Sequence, residues 1–252
     1  MSAKKKTVKK SKEEITFLNL PKSKKVDGKM IPYISYSQHS SFNETSEEFY
    51  YQMILQYVFG IKMSSRFQIF ATYGSHCGEY IETQGEKRGD LLSDKDCEIM
   101  DKIMKDFPEG SEYEREIWID RGSYYILGFI DQWCPTDDAM CDVNDFKTGN
   151  ISKKGAHYAS PKYAQTTLYS FAETLKGLKI RDSFVTMLDR GGNPMSETNP
   201  TALHLTGEIK KIATPYSDER AQKILTEMDD TAVRLASLNN TYQLLKKLTF
   251  KM

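Results

Sequence analysis

The sequence predicts an α/β fold, a mixed central sheet flanked by helices, and two observations carry that expectation. The first is a change of period in the middle of the chain. Upstream, apolar residues recur at helical spacing; between residues 116 and 148 they fall in short runs rich in aromatic and β-branched residues, separated by turn residues. The second is a strand, helix, strand succession over residues 141–188, which in one sheet implies parallel pairing through a right-handed crossover. Helices on both faces of such a sheet make three layers.

Element by element, residues 1–14 form a lysine-rich start expected to be a disordered tail. Residues 15–252 are expected to be a single domain, with a core over about 33–190 and a helical region at 217–250. Thr45 and Glu48 form a capping-box pattern, and behind them Phe49, Met53, Ile54, Tyr57 and Val58 recur at helical spacing. A second helix is predicted over 67–82. A third begins near Ser93, carries Cys97, Met100, Ile103, Met104 and Phe107 as its apolar stripe, and ends at Pro108 and Gly110. Residues 116–120, 124–131 and 141–148 read as three strands of an antiparallel meander. Residues 121–123 and 135–138 supply the turns, and Gly149-Asn150 closes the last strand. Ser160 as N-cap, Pro161 at the first helical position and Gly177 past the last turn bracket a helix. A strand follows over 183–188. From Ser217 the pattern is helical, with Ile224, Met228, Val233, Leu235, Leu238, Leu244 and Leu245 expected to pack on the core, the alternative being assembly with another chain.

Composition narrows the function classes only a little. Lysine plus arginine and aspartate plus glutamate each number 35, so net charge does not point to nucleic acid, although a groove can still be locally basic. No apolar run approaches the ~20 residues that cross a bilayer, and no signal peptide is visible. The expected location is the cytoplasm, that of a host if the chain is phage-encoded. Cys77, Cys97, Cys134 and Cys141 include no CxxC pair, so they are expected to be free thiols with neither zinc nor an iron–sulfur cluster.

Three segments carry chemistry: Gly128-Phe129-Ile130-Asp131, Asp145-Phe146-Lys147-Thr148-Gly149 and Gln165-Thr166-Thr167-Leu168-Tyr169. Residues two apart on a strand share a face, so Asp145 and Lys147 project together while Phe146 points to the opposite side. A carboxylate is a hard ligand for Mg²⁺ or Mn²⁺, and a lysine beside it can orient a water or neutralise charge building on a phosphate. In a hairpin, Asp131 approaches Asp145 across the ladder, and two close carboxylates repel unless a cation joins them. Gln165 and Tyr169, four apart, share a helix face.

The ordered set G-x-x-D, D-x-K, Q-x-x-x-Y resembles the RecB-like branch of the PD-(D/E)XK nucleases, which includes many phage exonucleases. Tyr33-Ile34-Ser35-Tyr36-Ser37 also resembles the opening of such domains, and the likeness covers about residues 33–190. It implies a restriction-endonuclease-like fold and a metal-dependent DNA exonuclease serving replication, recombination or repair. It further implies one or two Mg²⁺ or Mn²⁺ ions, held by Asp131, Asp145 and the Phe146 carbonyl, with Lys147 as the catalytic lysine. Gln165 and Tyr169 would position the nucleic acid or the lysine. The implied partners are DNA ends and, with them, replication or recombination proteins; oligomeric state is left open. One departure stands out. Relatives often read G-T-x-x-H-x-x-x-E on the upstream helix, and here Gly78 stands at the histidine position of Gly74-Ser75-His76-Cys77-Gly78-Glu79-Tyr80-Ile81-Glu82. Glu79 and Glu82 are the alternatives for that corner of the metal site. The competing functions are a structure-specific endonuclease and a catalytically inactive nuclease fold that binds DNA or protein.

Overall fold

The computed structural model describes residues 16–43, 68–136 and 139–249. The lysine-rich start and the Thr45/Glu48 capping box with its helix lie outside the described residues, as do Phe67, Asp137 and Asp138. The elements are β1 (Ser23–Val26), β2 (Lys29–Ile34), α1 (Tyr36–Asn43), α2 (Gln68–Glu82) and α3 (Asp94–Met104). They continue with β3 (Glu112–Asp120), β4 (Tyr125–Thr136), β5 (Met140–Gly149), α4 (Ile151–Tyr158), α5 (Gln165–Thr174), β6 (Lys179–Gly191), β7 (His204–Ala213) and α6 (Asp218–Thr249).

The strands form one mixed sheet in the order β1-β2-β4-β5-β6-β7, with β3 added on β4. The expected meander β3-β4-β5 is antiparallel, and β5 pairs in parallel with β6, as the strand, helix, strand succession requires. β4 organises the site. One edge pairs with β3 along nearly its whole length, from Glu112↔Trp133 to Asp120↔Tyr125. The other edge is shared: β2 takes Tyr125 and Ile126, and β5 takes the stretch from Gln132 to Thr136. Residues 127–131 are left between two strands that splay apart.

Two apolar layers hold the sheet. On one face Ile34, Ile117, Ile126, Val143, Val185 and Met187 pack against Leu168 of α5 and against Ile224, Met228 and Leu235 of α6. On the other face Phe146, Leu188 and Leu205 pack against Tyr73, Cys77 and Ile81 of α2 and Met100 and Ile103 of α3. Phe146 therefore enters the core on the side opposite Asp145, as period-2 alternation demands. It lies 5.6 Å, centroid to centroid, from Phe107. Burying one such side chain is worth about 1.5–3 kcal/mol, which fixes the register of β5 and with it the face of Asp145 and Lys147.

Several sequence expectations need correction. Pro135 and Thr136 are strand, not turn: they pair with Cys141 and Met140, a place near the hairpin end where proline's missing N–H is tolerated. No helix starts at Pro161. Ser160 to Tyr163 is a turn closed by the Tyr163 amide on the Ser160 carbonyl at 3.0 Å, and α5 begins at Gln165 after Ala164, which offers no side-chain cap. Its far end is as expected. Gly177 has φ +87, its N–H donates to the Thr174 carbonyl, and the Leu178 N–H donates to Glu173 in a Schellman arrangement. The segment ahead of it holds a separate helix, α4, capped by Asn150. The β1–β2 hairpin and β7 had no counterpart in the sequence reading. Val233 and Leu244 face solvent rather than the core. Ser93 caps α3 as expected, in a box with Asp96, whose other oxygen accepts from the Leu205 amide at 2.7 Å. All four cysteines are buried and free, and no helix among the described residues is long and apolar enough to cross a membrane.

Candidate active site at the open end of the β4–β5 hairpin

Asp131 and Asp145 sit where the β4–β5 ladder stops. The last paired residues are Gln132↔Asn144. One step further the Asp131 carboxylate, not a backbone carbonyl, accepts the Phe146 N–H at 2.7 Å. Asp145 is fully buried. Its Oδ2 lies 2.5 Å from Lys147 Nζ and accepts a hydrogen bond from the Tyr163 hydroxyl at 2.7 Å, while its Oδ1 is buried with no hydrogen-bond partner. Lys147 Nζ also lies 3.9 Å from Asp131 Oδ2. Asp145 and Lys147 thus share a strand face, and Asp131 meets them across the hairpin.

The electrostatics follow from this crowding. Burial, and then the Asp145 charge, push the Asp131 carboxyl well above the usual carboxylate range. Burial alone would lower the Lys147 ammonium, but the two aspartates outweigh it and raise the group, so Lys147 is a cation at any working pH. Tyr163 and Tyr169 are both raised, first by burial and then by Asp145, and remain neutral hydroxyls.

Gln165 and Tyr169 come together one turn apart on α5, Gln165 Nε2 donating to the Tyr169 hydroxyl at 2.6 Å. Gln165 Oε1 is 3.2 Å from the Tyr163 hydroxyl, so the pair reaches Asp145 through one intermediate side chain. Gly128 explains the glycine of G-x-x-D: a Cβ there would lie 2.8 Å from Tyr169 Cε1. Ser35 and Gln38 exchange capping-box hydrogen bonds at the start of α1. The Tyr36 hydroxyl accepts from the Ala164 amide at 3.0 Å, pinning the entry of α5. The S-x-S segment therefore places α5 over the sheet.

A cavity of about 740 Å³ opens over these groups, its lining including Glu82, Glu114, Asp131, Lys147, Lys154 and Arg190. A second, of about 300 Å³, adjoins it at Glu114 and Asp131 and runs along the unpaired edge of β4 past Gly128 to Tyr33, Ser35 and Tyr169. Glu79 and Glu82 differ in position. Glu82 lines the main cavity, whereas Glu79 pairs with Lys87 at 3.3 Å away from it. Burial, and then the Glu114 charge, push the Glu82 carboxyl up to about 7. Gly78 gives Glu82 its room, since a Cβ at that position would lie 3.2 Å from Glu82 Oε1. His76 packs beside Gly89 instead.

Glu114 was not singled out by the sequence. It stands opposite Asp131 on β3 with φ +49, a left-handed conformation that costs a non-glycine residue about 1–2 kcal/mol, and it lines both cavities. Tyr163 was also missed, because it precedes α5 and carries no periodic signal.

The donor set suits a hard divalent cation. Three carboxylates, from Glu82, Glu114 and Asp131, line the main cavity, and the buried Asp145 beside Asp131 leaves Oδ1 without a partner. Among the described residues no three His, Cys, Asp or Glu side chains are already drawn together around a common point. The Lys147 ammonium bridges the two aspartates instead.

No family model matches the sequence, and no curated protein matches it. Among solved structures the chain is similar, over 83% of its length and at 12% identity, to the crystal structure of a "Putative exonuclease" from Eubacterium rectale, 82% of which is covered, with a TM-score of 0.51. The crystal structure of SSO0001 aligns over 83% of this chain and 75% of its own at 15% identity, with a TM-score of 0.37 that adds nothing to the argument. The first likeness shows the fold alone: a mixed sheet flanked by helices.

Proposed function

We propose that this chain is a metal-dependent nuclease of the RecB-like branch of the PD-(D/E)XK superfamily, an exonuclease acting on DNA ends in replication, recombination or repair. The observation that carries the reading is the Asp131–Asp145–Lys147 cluster at the open end of the hairpin, with its unpartnered buried carboxylate oxygen. Asp131, Asp145, the Phe146 carbonyl and Glu82 would hold Mg²⁺ or Mn²⁺. Such an ion polarises a phosphate and lowers the pKa of a bound water.

The chain's own groups do the rest. Lys147, held protonated by its aspartates, stabilises negative charge that accumulates on the phosphate as the bond to the attacking water forms. Tyr163 fixes the rotamer of Asp145, Gln165 holds Tyr163 and bonds Tyr169, and Tyr169 lines the second cavity. That cavity follows a bare strand edge and gives one strand of nucleic acid a path past Asp131. The test is digestion of linear against covalently closed circular DNA in Mn²⁺. Loss of the linear form alone is the expected result. Cleavage of both equally would replace the exonuclease with an endonuclease, and cleavage of neither would overturn the reading.

A further inference from the structure

We infer that Lys154 and Arg190 form a second phosphate subsite, which grips the nucleic-acid backbone beside the scissile linkage; the inference rests on the nuclease reading of the same cavity. Both residues line the main cavity together with Asp131 and Lys147. Among the described residues neither has a carboxylate within ion-pair distance. Arg115, Arg121 and Arg181 by contrast each hold at least one. An uncompensated cation facing a cavity, one of them half-buried, is costly unless an anion comes to it.

The two charges are also held as one unit. Asp189, the residue before Arg190 on β6, accepts the Ile151 amide at 2.9 Å and so ties down the first turn of α4, the helix that carries Lys154. The Arg190 guanidinium stacks 4.6 Å from the Phe70 ring and donates to the Phe70 carbonyl at 3.3 Å. The Lys154 stem lies against Gly149, where a Cβ would come within 3.2 Å of its Cδ. Gly149 is four residues along β5 from Asp145, about 13 Å at the rise of a strand, so the subsite takes a neighbouring phosphate and not the reacting one. Guanidinium and ammonium read a phosphodiester oxyanion and no base edge, so the subsite confers affinity without sequence preference.

The experiment is fluorescence anisotropy of a labelled eight-nucleotide oligothymidylate across a salt series, with Ca²⁺ to neutralise the carboxylates. It compares wild type with Lys154→Ala, Arg190→Gln and the double variant. Removing the subsite is expected to weaken binding several-fold and to reduce the slope of log K against log salt by about 0.7, one phosphate's worth for a single strand. In Mn²⁺, turnover of bis(p-nitrophenyl) phosphate, which has no neighbouring phosphate, should stay at the wild-type rate while KM for the oligonucleotide rises. Lys154 is exposed, so its variant keeps the test decisive if Arg190→Gln fails to fold. Unchanged affinity and slope in the variants, with wild type binding normally, would overturn this proposal alone. So would an equal fall on both substrates. Wild type that binds no oligonucleotide would overturn it together with the nuclease reading.

Discussion

The shared edge of β4 divides into two stretches that differ in one respect. From Gln132 to Thr136 it is zipped to β5 and carries no charged side chain, and Asn144 ties it to β6, although Gln132 Nε2 and Trp133 Nε1 stay buried without a hydrogen-bond partner. Asn144 donates to Gln132 at 2.8 Å and accepts from Thr186 at 2.8 Å. Over residues 127–131 neither β2 nor β5 pairs with it, and its one polar side chain, Asp131, faces both cavities, Lys147 and the Phe146 amide. The same two strands are scaffold where they pair and site where they part. Where the ladder stops, Asp131 takes over the Phe146 amide and the freed space receives Glu82, Glu114 and Lys147. Carboxylates packed this closely repel one another, and a cluster of that kind facing a cavity is what a site for a charged ligand would present.

This contrast can be broken from either side. The largest effect is expected at Lys147. Lys147→Ala should reduce cleavage by roughly a thousandfold or more, with folding intact by circular dichroism, because it removes the cation that stabilises charge building on the phosphate. A variant that digests DNA at the wild-type rate would sink the mechanism. Next is the closed stretch. Asn144→Ala leaves Gln132 and Thr186 unpaired in the core and should cost about 1–3 kcal/mol in denaturant unfolding, while activity per folded molecule is unchanged. Loss of activity without loss of stability would erase the distinction between the two stretches.

A smaller effect is expected at Gly128. A methyl group there collides with Tyr169, so Gly128→Ala should lower activity about tenfold, the equivalent of ~1.4 kcal/mol, with little change in unfolding. Equal activity would show that Tyr169 has no part in the chemistry.

The smallest concerns pH. Glu82 is raised to about 7 against an ordinary 4.5, so the folded chain binds this proton more tightly than the unfolded chain. The stability it contributes is fully present below about 4.5 and is lost as pH rises through 7. In EDTA, the Tm difference between pH 5 and pH 8 should therefore shift in Glu82→Gln relative to wild type, the variant losing the gain at pH 5. Identical pH dependence would place Glu82 outside the cluster.

Much of the site was legible before the fold was known, and the reason is local. Asp145 and Lys147 share a face by strand periodicity alone, and Asp131 joins them because the meander is a hairpin. Glu82 needed tertiary context: only the packing of α2 on β5, and the space left at Gly78, separates it from Glu79. Glu114 and Tyr163 were not legible. One depends on a left-handed residue within a strand, the other on a turn that delays the start of α5 beyond Ser160-Pro161. Among the elements, β7 escaped because it is an edge strand with exposed Lys210 and Lys211, and α4 because its eight residues include Gly155. Neither shows a hydrophobic period long enough to read.

The central claim is that the unzipped end of the hairpin cleaves phosphodiester bonds with a divalent ion. A time course on end-labelled single- and double-stranded DNA, run in Mn²⁺ and again in excess EDTA, tests it most directly. The account predicts progressive release of label in Mn²⁺ from at least one substrate and none in EDTA. Full digestion in EDTA, or no digestion of either substrate in Mn²⁺, would contradict it.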